Sequence, residues 1–282
     1  MNYKHIYHAG NFADVTKHII LLALINCLKR KDKAFCYLDT HAGSGYYDLS
    51  SSLANKTKEF ELGIEKIIQA EHPPTLVKEY LTCVHDINNK LTQSKFASLR
   101  YYPGSPLIAR HLLRAHDRIV ACELHPEEYQ SLRATFQNDK QVAVHHTDGF
   151  LGLKAFLPPK ENRGLILIDP PYEDPDEFNR IAHSMVAPLK RFESGVFAIW
   201  FPIKEKVQVE RFYRTLQSQV KLPILAVELT IYPELANHLN GNGVVIINPP
   251  YQLDTNLQNI LPWVWKALTI NNQGSFNAFF LE

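Results

Sequence analysis

Short continuous apolar runs alternate along this chain with stretches whose apolar residues recur at helical spacing. The runs predict strands over 34–39, 118–123, 142–148, 165–169, 196–202, 224–231 and 243–248. The first helix is expected over 12–31, with Asn11 as N-cap and Val15, Ile19, Leu22 and Ile25 on one face. Further helices are expected over 127–137 and 177–190. Alternating strands and helices predict an α/β fold, an open and mostly parallel sheet covered on both faces. About a dozen residues containing Asn240-Gly241-Asn242-Gly243 join the last two strands, with no obvious helix, so these two are expected to be antiparallel.

One interval breaks this rhythm. In a dinucleotide-type half, the acid that closes the second strand lies roughly 20 residues past the glycine turn. Here Glu123 lies 78 residues past Gly45. The surplus carries helical patterns over 59–69 and 76–91, parted by Pro73-Pro74. The chain is therefore expected to form a single domain, 1–282, with a small helical insertion over 47–100 on the ligand side of the sheet.

Four strand ends carry candidate chemistry. Asp39-Thr40-His41-Ala42-Gly43-Ser44-Gly45 is a small-residue turn that lets backbone approach a ligand, although Tyr46-Tyr47-Asp48 follows where a third glycine would be needed. Glu123 is placed to accept from ribose hydroxyls, and Asp148-Gly149 to pair with an adenine amino group. Asp169-Pro170-Pro171-Tyr172 follows the run Leu165–Ile168 and is the most informative motif. Its prolines fix φ and remove donors, leaving the Pro170 carbonyl and the acid to accept from an exocyclic amine, while Tyr172 offers a face to a base. Methyltransferases that modify amino nitrogens share this motif. Each site has a plainer reading: a tight turn, a solvated strand end, a helix N-cap at Asp148. Their order on successive strands favours a nucleotide site.

A second copy, Asn248-Pro249-Pro250-Tyr251, closes the wrong strand. If that strand is antiparallel, its end lies away from the crevice, and the prolines simply stop it. His5, His8 and His18 lack the carboxylate or cysteine partners of a usual metal site, so no metal is expected.

Composition narrows the class only modestly. Forty-five per cent hydrophobic and 21% charged residues describe an ordinary globular protein, and a net charge of +1 does not force a nucleic-acid partner. No run approaches a membrane span, and Cys27, Cys36, Cys83 and Cys122 lie in apolar stretches without CxxC spacing. A cytoplasmic protein without membrane association is expected.

The chain resembles the RlmJ family of bacterial 23S ribosomal RNA adenine-N6 methyltransferases along essentially its whole length. The most specific stretches are His8–Val15 with Lys17-His18, Tyr37–Gly45, Arg100–Arg110 and Gly164–Tyr172; Leu268 onward matches least. The resemblance implies a Rossmann-like class I methyltransferase sheet with a helical insertion, S-adenosylmethionine as methyl donor, and a specific adenine of naked or early-assembly 23S rRNA as acceptor for a monomeric enzyme. It implies cofactor contacts at His18, His41, Gly43, Ser105, Glu123, Asp148, Gly149 and Asp169. Asp169, with Pro170 and Tyr172, would be catalytic; Tyr3, His5, Lys17 and Tyr172 would meet the substrate. Ser44 stands where the family often has Ala. Phosphate contacts are sought among Lys4, Lys17, Arg100, Arg110, Lys204, Lys206, Arg211 and Arg214, although solvated surface charge explains any one of them. Rival readings are a DNA adenine-N6 methyltransferase, a protein-glutamine methyltransferase, a non-catalytic RNA-binding module and, disfavoured by the missing glycine, an NAD-dependent oxidoreductase.

Overall fold

A computed structural model describes residues 4–95, 97–235 and 238–282. Tyr3 lies outside the described residues. The strands are β1 (Cys36–Asp39), β2 (Tyr46–Asp48), β3 (Tyr101–Pro103), β4 (Arg118–Glu123), β5 (Val142–His146), β6 (Gly164–Ile168), β7 (Val196–Ile203), β8 (Ile224–Thr230), β9 (Gly241–Ile247) and β10 (Ser275–Phe280). Eight of them form one sheet in the order β10-β8-β9-β7-β6-β1-β4-β5.

The parallel pairings β4–β5, β1–β4, β1–β6 and β6–β7 form the half of the sheet that carries the candidate motifs. β6 and β1 are buried along their whole lengths, as central strands covered on both faces must be. β9 lies between β7 and β8 and runs antiparallel to both, so the expected antiparallel pair forms. Asn248-Pro249-Pro250-Tyr251 is thereby carried to the opposite edge. There the Asn248 amide donates to the carbonyls of Glu193 and Gly195, and the Tyr251 ring is 82% exposed.

Helix Phe12–Lys29 is apolar nearly all round and is correspondingly buried: every residue except Asn26 and Lys29 is inside. The Asn11 side chain accepts from the Asp14 N–H, as expected of its N-cap. The segment after β1 folds back through the two-stranded ribbon β2–β3, which encloses helices Ala54–Thr57, Ile64–Gln69 and Thr75–Thr92. Phe60, Ile64, Val77, Tyr80 and Val84 of this segment share one apolar core with Ile20, Leu24 and their neighbours in the first helix.

Three departures from the sequence pattern have physical causes. The helix expected over 59–69 is a 3₁₀ turn, Glu59–Leu62, followed by a separate helix from Ile64. Gly63 interrupts it because its backbone abuts the first helix: a Cβ there would sit 2.1 Å from the Gly10 carbonyl oxygen, which accepts from the Ile64 N–H. The helix expected over 177–190 breaks after Ser184, four residues before Pro188, whose ring and missing N–H cannot serve that carbonyl. The final strand β10 was not anticipated; it pairs antiparallel with β8 and closes that edge.

The close approach at Gly63 generates a stability prediction. Gly63→Ala is expected to destabilise the fold by about 2 kcal/mol or more, because the added methyl meets backbone rather than a movable side chain. Urea unfolding of the two proteins measures this, and an unchanged midpoint would show that the contact carries no constraint.

Candidate active site

The carboxyl ends of β1, β4 and β6, the turn after β5 and the start of the first helix converge on a cavity of about 450 Å³. His5, Lys17, His18, His41, Gly43, Ser105, Glu123, Asp148, Gly149, Asp169, Pro170 and Tyr172 all line it. Every expected site residue within the described part of the chain is therefore brought together.

The turn after β1 is held by close contacts. Gly43 has φ +60°, and a Cβ there would lie 2.2 Å from the Tyr47 hydroxyl. A Cβ at Gly149 would lie 2.3 Å from the Thr40 carbonyl and 2.9 Å from the His41 ring, so this turn and the one after β5 can only meet around glycine. The Glu123 carboxylate accepts from the backbone N–H groups of Gly43 (2.8 Å) and His125 (2.7 Å), one on each oxygen. Fixed in this way, each oxygen keeps a lone pair for hydroxyl donors in the cavity. Asp148 takes the N-cap role considered for it. One oxygen caps helix Gly149–Phe156 by accepting from the Phe150 and Leu151 N–H groups, while the other lies 3.4 Å from Arg180.

The first helix supplies a stripe of polar residues, Asp14, Lys17 and His18, at the i, i+3, i+4 positions of one face. Lys17 is only 5% exposed. Its ammonium donates to Asp14 (2.8 Å) and to the Asp169 Oδ2 (2.5 Å). Burial works against the charge, but the two carboxylates outweigh it and raise the Lys17 pKa. Asp14 also receives His5 (2.8 Å) and the Gly10 N–H, and despite its burial the neighbouring His5 and Lys17 hold its carboxyl well below the usual range. Lys17 is thus committed to the turn after β6, and the phosphate contact considered for it does not match its placement. His5 packs on Tyr47 at the cavity wall, and His8 pairs with Glu59 of the helical segment.

Tyr172 occupies a left-handed backbone conformation (φ +52°) that is costly for a large side chain. Its hydroxyl donates to the Trp200 carbonyl at 2.8 Å, and its ring meets Trp200 and Phe178 at steep angles. The aromatic surface is therefore held in place before any ligand arrives.

Two neutral histidines flank the site. Burial pushes His18 down to about 3, helped by the Lys17 charge, and burial pushes His41 down to about 4. The Thr40 hydroxyl lies 2.9 Å from the Leu167 carbonyl, a contact between oxygens that requires the Thr40 proton. His41 Nδ1, 2.8 Å from the same hydroxyl, must then be the donor, which leaves its Nε2 as an acceptor. Below β1, Asp39 accepts from Tyr37 (2.8 Å) and from Ser105 (2.6 Å), and burial raises it to about 6. Because Ser105 donates to Asp39, its oxygen is left as an acceptor at the cavity wall.

Asp14, Arg180 and Trp200 are not singled out by the sequence, and Asp39 enters only as the first residue of the glycine turn, without its partners. Asp14 was the most accessible of these, since it forms with Lys17 and His18 a polar stripe in an otherwise apolar helix. Among the considered phosphate contacts, Lys204 is exposed at the cavity rim, and Lys206, Arg211 and Arg214 are exposed on helix Lys206–Gln219 beyond it. Arg100 and Arg110 are paired with Asp48 and Asp139.

The neutral histidines give the site a pH signature. A group whose folded pKa is depressed below its unfolded value near 6.5 favours the neutral form in the fold. Its stabilising contribution is complete above pH 6.5 and is lost as the pH falls towards the folded value. Each histidine contributes a loss of up to about 1.4 kcal/mol per pH unit in that window. Asp39 acts in the opposite sense between about 3.8 and 6. His41→Asn is therefore expected to unfold with a shallower dependence on pH between 6.5 and 4.5 than the parent protein. Parallel melting-temperature profiles would contradict the assignment.

Comparison with known proteins agrees with this geometry. Residues 32–281 match the family model described as ribosomal RNA large subunit methyltransferase D, RlmJ. The chain is 42% identical to ribosomal RNA large subunit methyltransferase J of Escherichia coli strain K12, over 95% of this chain and 94% of that protein. It is likewise 42% identical to the Haemophilus influenzae protein of the same name, over 99% and 98% of the two chains. A crystal structure of a Legionella pneumophila protein superposes with a TM-score of 0.85 at 38% identity, covering 97% of both chains. With the family model matched over residues 32–281 and 42% identity to both relatives over nearly the full length, the chain belongs to the RlmJ family.

Proposed function

We propose that this protein transfers a methyl group from S-adenosylmethionine to N6 of a specific adenine in 23S rRNA. The observation that carries this reading is the Asp169-Pro170-Pro171-Tyr172 turn, fixed by Lys17 and Trp200 and opening on the same cavity as the nucleotide-binding strand ends.

The cavity residues fit the cofactor. The Glu123 oxygens suit two vicinal hydroxyls, Asp148 suits an amino group, and the glycine contacts at Gly43 and Gly149 let backbone pass close to a nucleoside. Ser105 and His41 present acceptors, while His18 and Gly43 complete the wall. When bound, S-adenosylmethionine supplies a methyl group on a positively charged sulfur.

The protein's own residues then act by positioning. An adenine splayed from its stack enters the mouth and lies against Tyr172, whose ring is already locked. Asp169 Oδ2 is held by Lys17, and Oδ1 is left to accept from the N6 amine together with the Pro170 carbonyl. These two acceptors draw the nitrogen lone pair out of ring conjugation and aim it across the cavity. Transfer is a direct displacement, the N6 nitrogen giving up one proton to Asp169 as it gains the methyl group, and the acceleration comes from orientation and fixed charge. His5 lies at the substrate side of the cavity, above Tyr47.

The RNA is held chiefly by phosphate contacts, with Lys204 exposed at the cavity rim and Lys206, Arg211 and Arg214 exposed on helix Lys206–Gln219 as candidates. A base that must leave its stack is most accessible in naked or early-assembly rRNA, where a monomeric enzyme in the cytoplasm meets it. The DNA rival shares the chemistry, but the helical segment is small and its core is spent on the first helix. The protein-glutamine rival would need the Asn248 motif, which lies at the opposite edge of the sheet.

Labelled S-adenosylmethionine with unmodified 23S rRNA and with duplex DNA tests the reading. Label is expected in N6-methyladenosine of the RNA alone; label in DNA would promote the rival. Asp169→Ala is expected to reduce transfer by at least about 100-fold, with cofactor binding at most weakened. Turnover at the parent rate in that variant would overturn the mechanism.

A further inference from the structure

The helical insertion reaches into the cofactor site through hydrogen bonds. His18 Nδ1 lies 2.8 Å from the Tyr102 hydroxyl, which lies 2.9 Å from the Tyr80 hydroxyl. Tyr102 belongs to the β2–β3 ribbon and Tyr80 to helix Thr75–Thr92. Both tyrosines are fully buried and His18 is 1% exposed, so water does not compete for these groups. The Tyr102 and His18 rings are also stacked, with centroids 5.6 Å apart.

The direction of this chain is decided by counting protons. Two hydroxyls and one neutral ring carry three N–H or O–H hydrogens. If His18 Nδ1–H donated to Tyr102, then Tyr102 would donate to Tyr80, and the Tyr80 proton would be buried without an acceptor among the described residues. Such an orphan costs about 1–3 kcal/mol. In the opposite direction Tyr80 donates to Tyr102, Tyr102 donates to His18 Nδ1, and each buried hydroxyl donates once. The ring proton then sits on Nε2, which has no partner among the described residues and belongs to a ring lining the cavity.

We infer that Tyr80 and Tyr102 are positioning residues that fix His18 as a hydrogen-bond donor toward the carboxylate of the cofactor's amino-acid portion. The inference rests on the S-adenosylmethionine reading above. Neutrality makes the tautomer matter: a charged ring would donate from both nitrogens, whereas this buried ring donates from one only. With the proton on Nδ1, the Nε2 lone pair would face the carboxylate and repel it. The opposite arrangement at His41, where Thr40 leaves Nε2 as an acceptor, shows that the two rings are set independently by neighbouring hydroxyls. Ser105, with its oxygen left as an acceptor, is matched to the ammonium of the same portion.

The test compares S-adenosylmethionine with its decarboxylated analogue by calorimetry, on the full chain and on Tyr102→Phe and Tyr80→Phe. Tyr102→Phe is expected to weaken S-adenosylmethionine by about 10-fold and to leave the decarboxylated analogue within about 2-fold. Tyr80→Phe is expected to act in the same direction with a smaller effect, since Tyr102 keeps its own proton. Equal weakening of both ligands would mean that the tyrosines only fill space, and no weakening would mean that they do not set the ring; either result overturns the inference. Imidazole ¹⁵N shifts of His18 in the parent protein give a reading that needs no variant: a proton on Nδ1 overturns the inference, and a proton on Nε2 supports it. Failure of the parent protein to bind S-adenosylmethionine at all would instead overturn the functional reading on which the inference rests.

Discussion

The Lys17 ammonium is buried between two carboxylates, and much of the site's architecture follows from that burial. An unpaired ammonium at this depth would cost several kcal/mol, so the charge requires partners with good geometry. Asp14 is supplied by the same helix one turn earlier; Asp169 comes from the end of β6, 152 positions away in the sequence. The pair therefore docks the first helix against the turn after β6. Asp14 in turn collects His5 and the Gly10 N–H, which draws the segment before the helix over the cavity. Ion pairs of this kind contribute little net stability compared with apolar packing. What this one supplies is register, because only one placement of the helix satisfies both acids.

The same helix is apolar everywhere else, which explains the insertion. A helix buried on all faces needs cover on the side away from the sheet, and the segment between β2 and β3 provides it. Gly63 permits the two backbones to touch there, and Tyr80 and Tyr102 bring hydroxyls to the back of His18. An element that the sequence marks only as a surplus interval thus supports the wall of the candidate site rather than standing as an appendage beside it.

The parallel strand ends were legible because each pairs a local apolar run with a polar terminus. Glu123, Asp148 and Asp169 could be placed on one edge from spacing and strand order alone. The antiparallel β9 followed from its glycine-rich connection, and with it the exclusion of the Asn248 motif. Asp39 and Asp14 were not legible as partners, since their hydrogen bonds to Ser105, Tyr37, His5 and Lys17 combine neighbours with residues distant in the chain. Lys17 is offered by the sequence as a substrate or phosphate contact because sequence alone does not reveal that both flanks of its helix are covered. The breaks at Gly63 and before Pro188 arise from a backbone contact and a missing donor, neither of which alters the apolar periodicity on which the helices were predicted. β10 lies in a stretch whose pattern is mostly exposed, and it is specified by pairing with β8 rather than by burial.

Tautomers are a further layer that neither motif nor spacing encodes. His18 and His41 are both buried and neutral, and a motif-level description would give them one role. Their neighbours assign them opposite ones. At His41 a threonine donates its proton to a backbone carbonyl, so the hydroxyl can only accept from the ring. At His18 two tyrosines with no other acceptor among the described residues can only pass their protons toward the ring. A ligand whose amino-acid end carries a carboxylate and an ammonium presents an acceptor and a donor close together. A wall with a fixed donor at His18 and a fixed acceptor at Ser105 distinguishes the two groups without carrying a formal charge at either position. Such a wall avoids the desolvation cost of a second buried cation beside Lys17, and that cost is a physical reason for histidine rather than lysine or arginine at position 18.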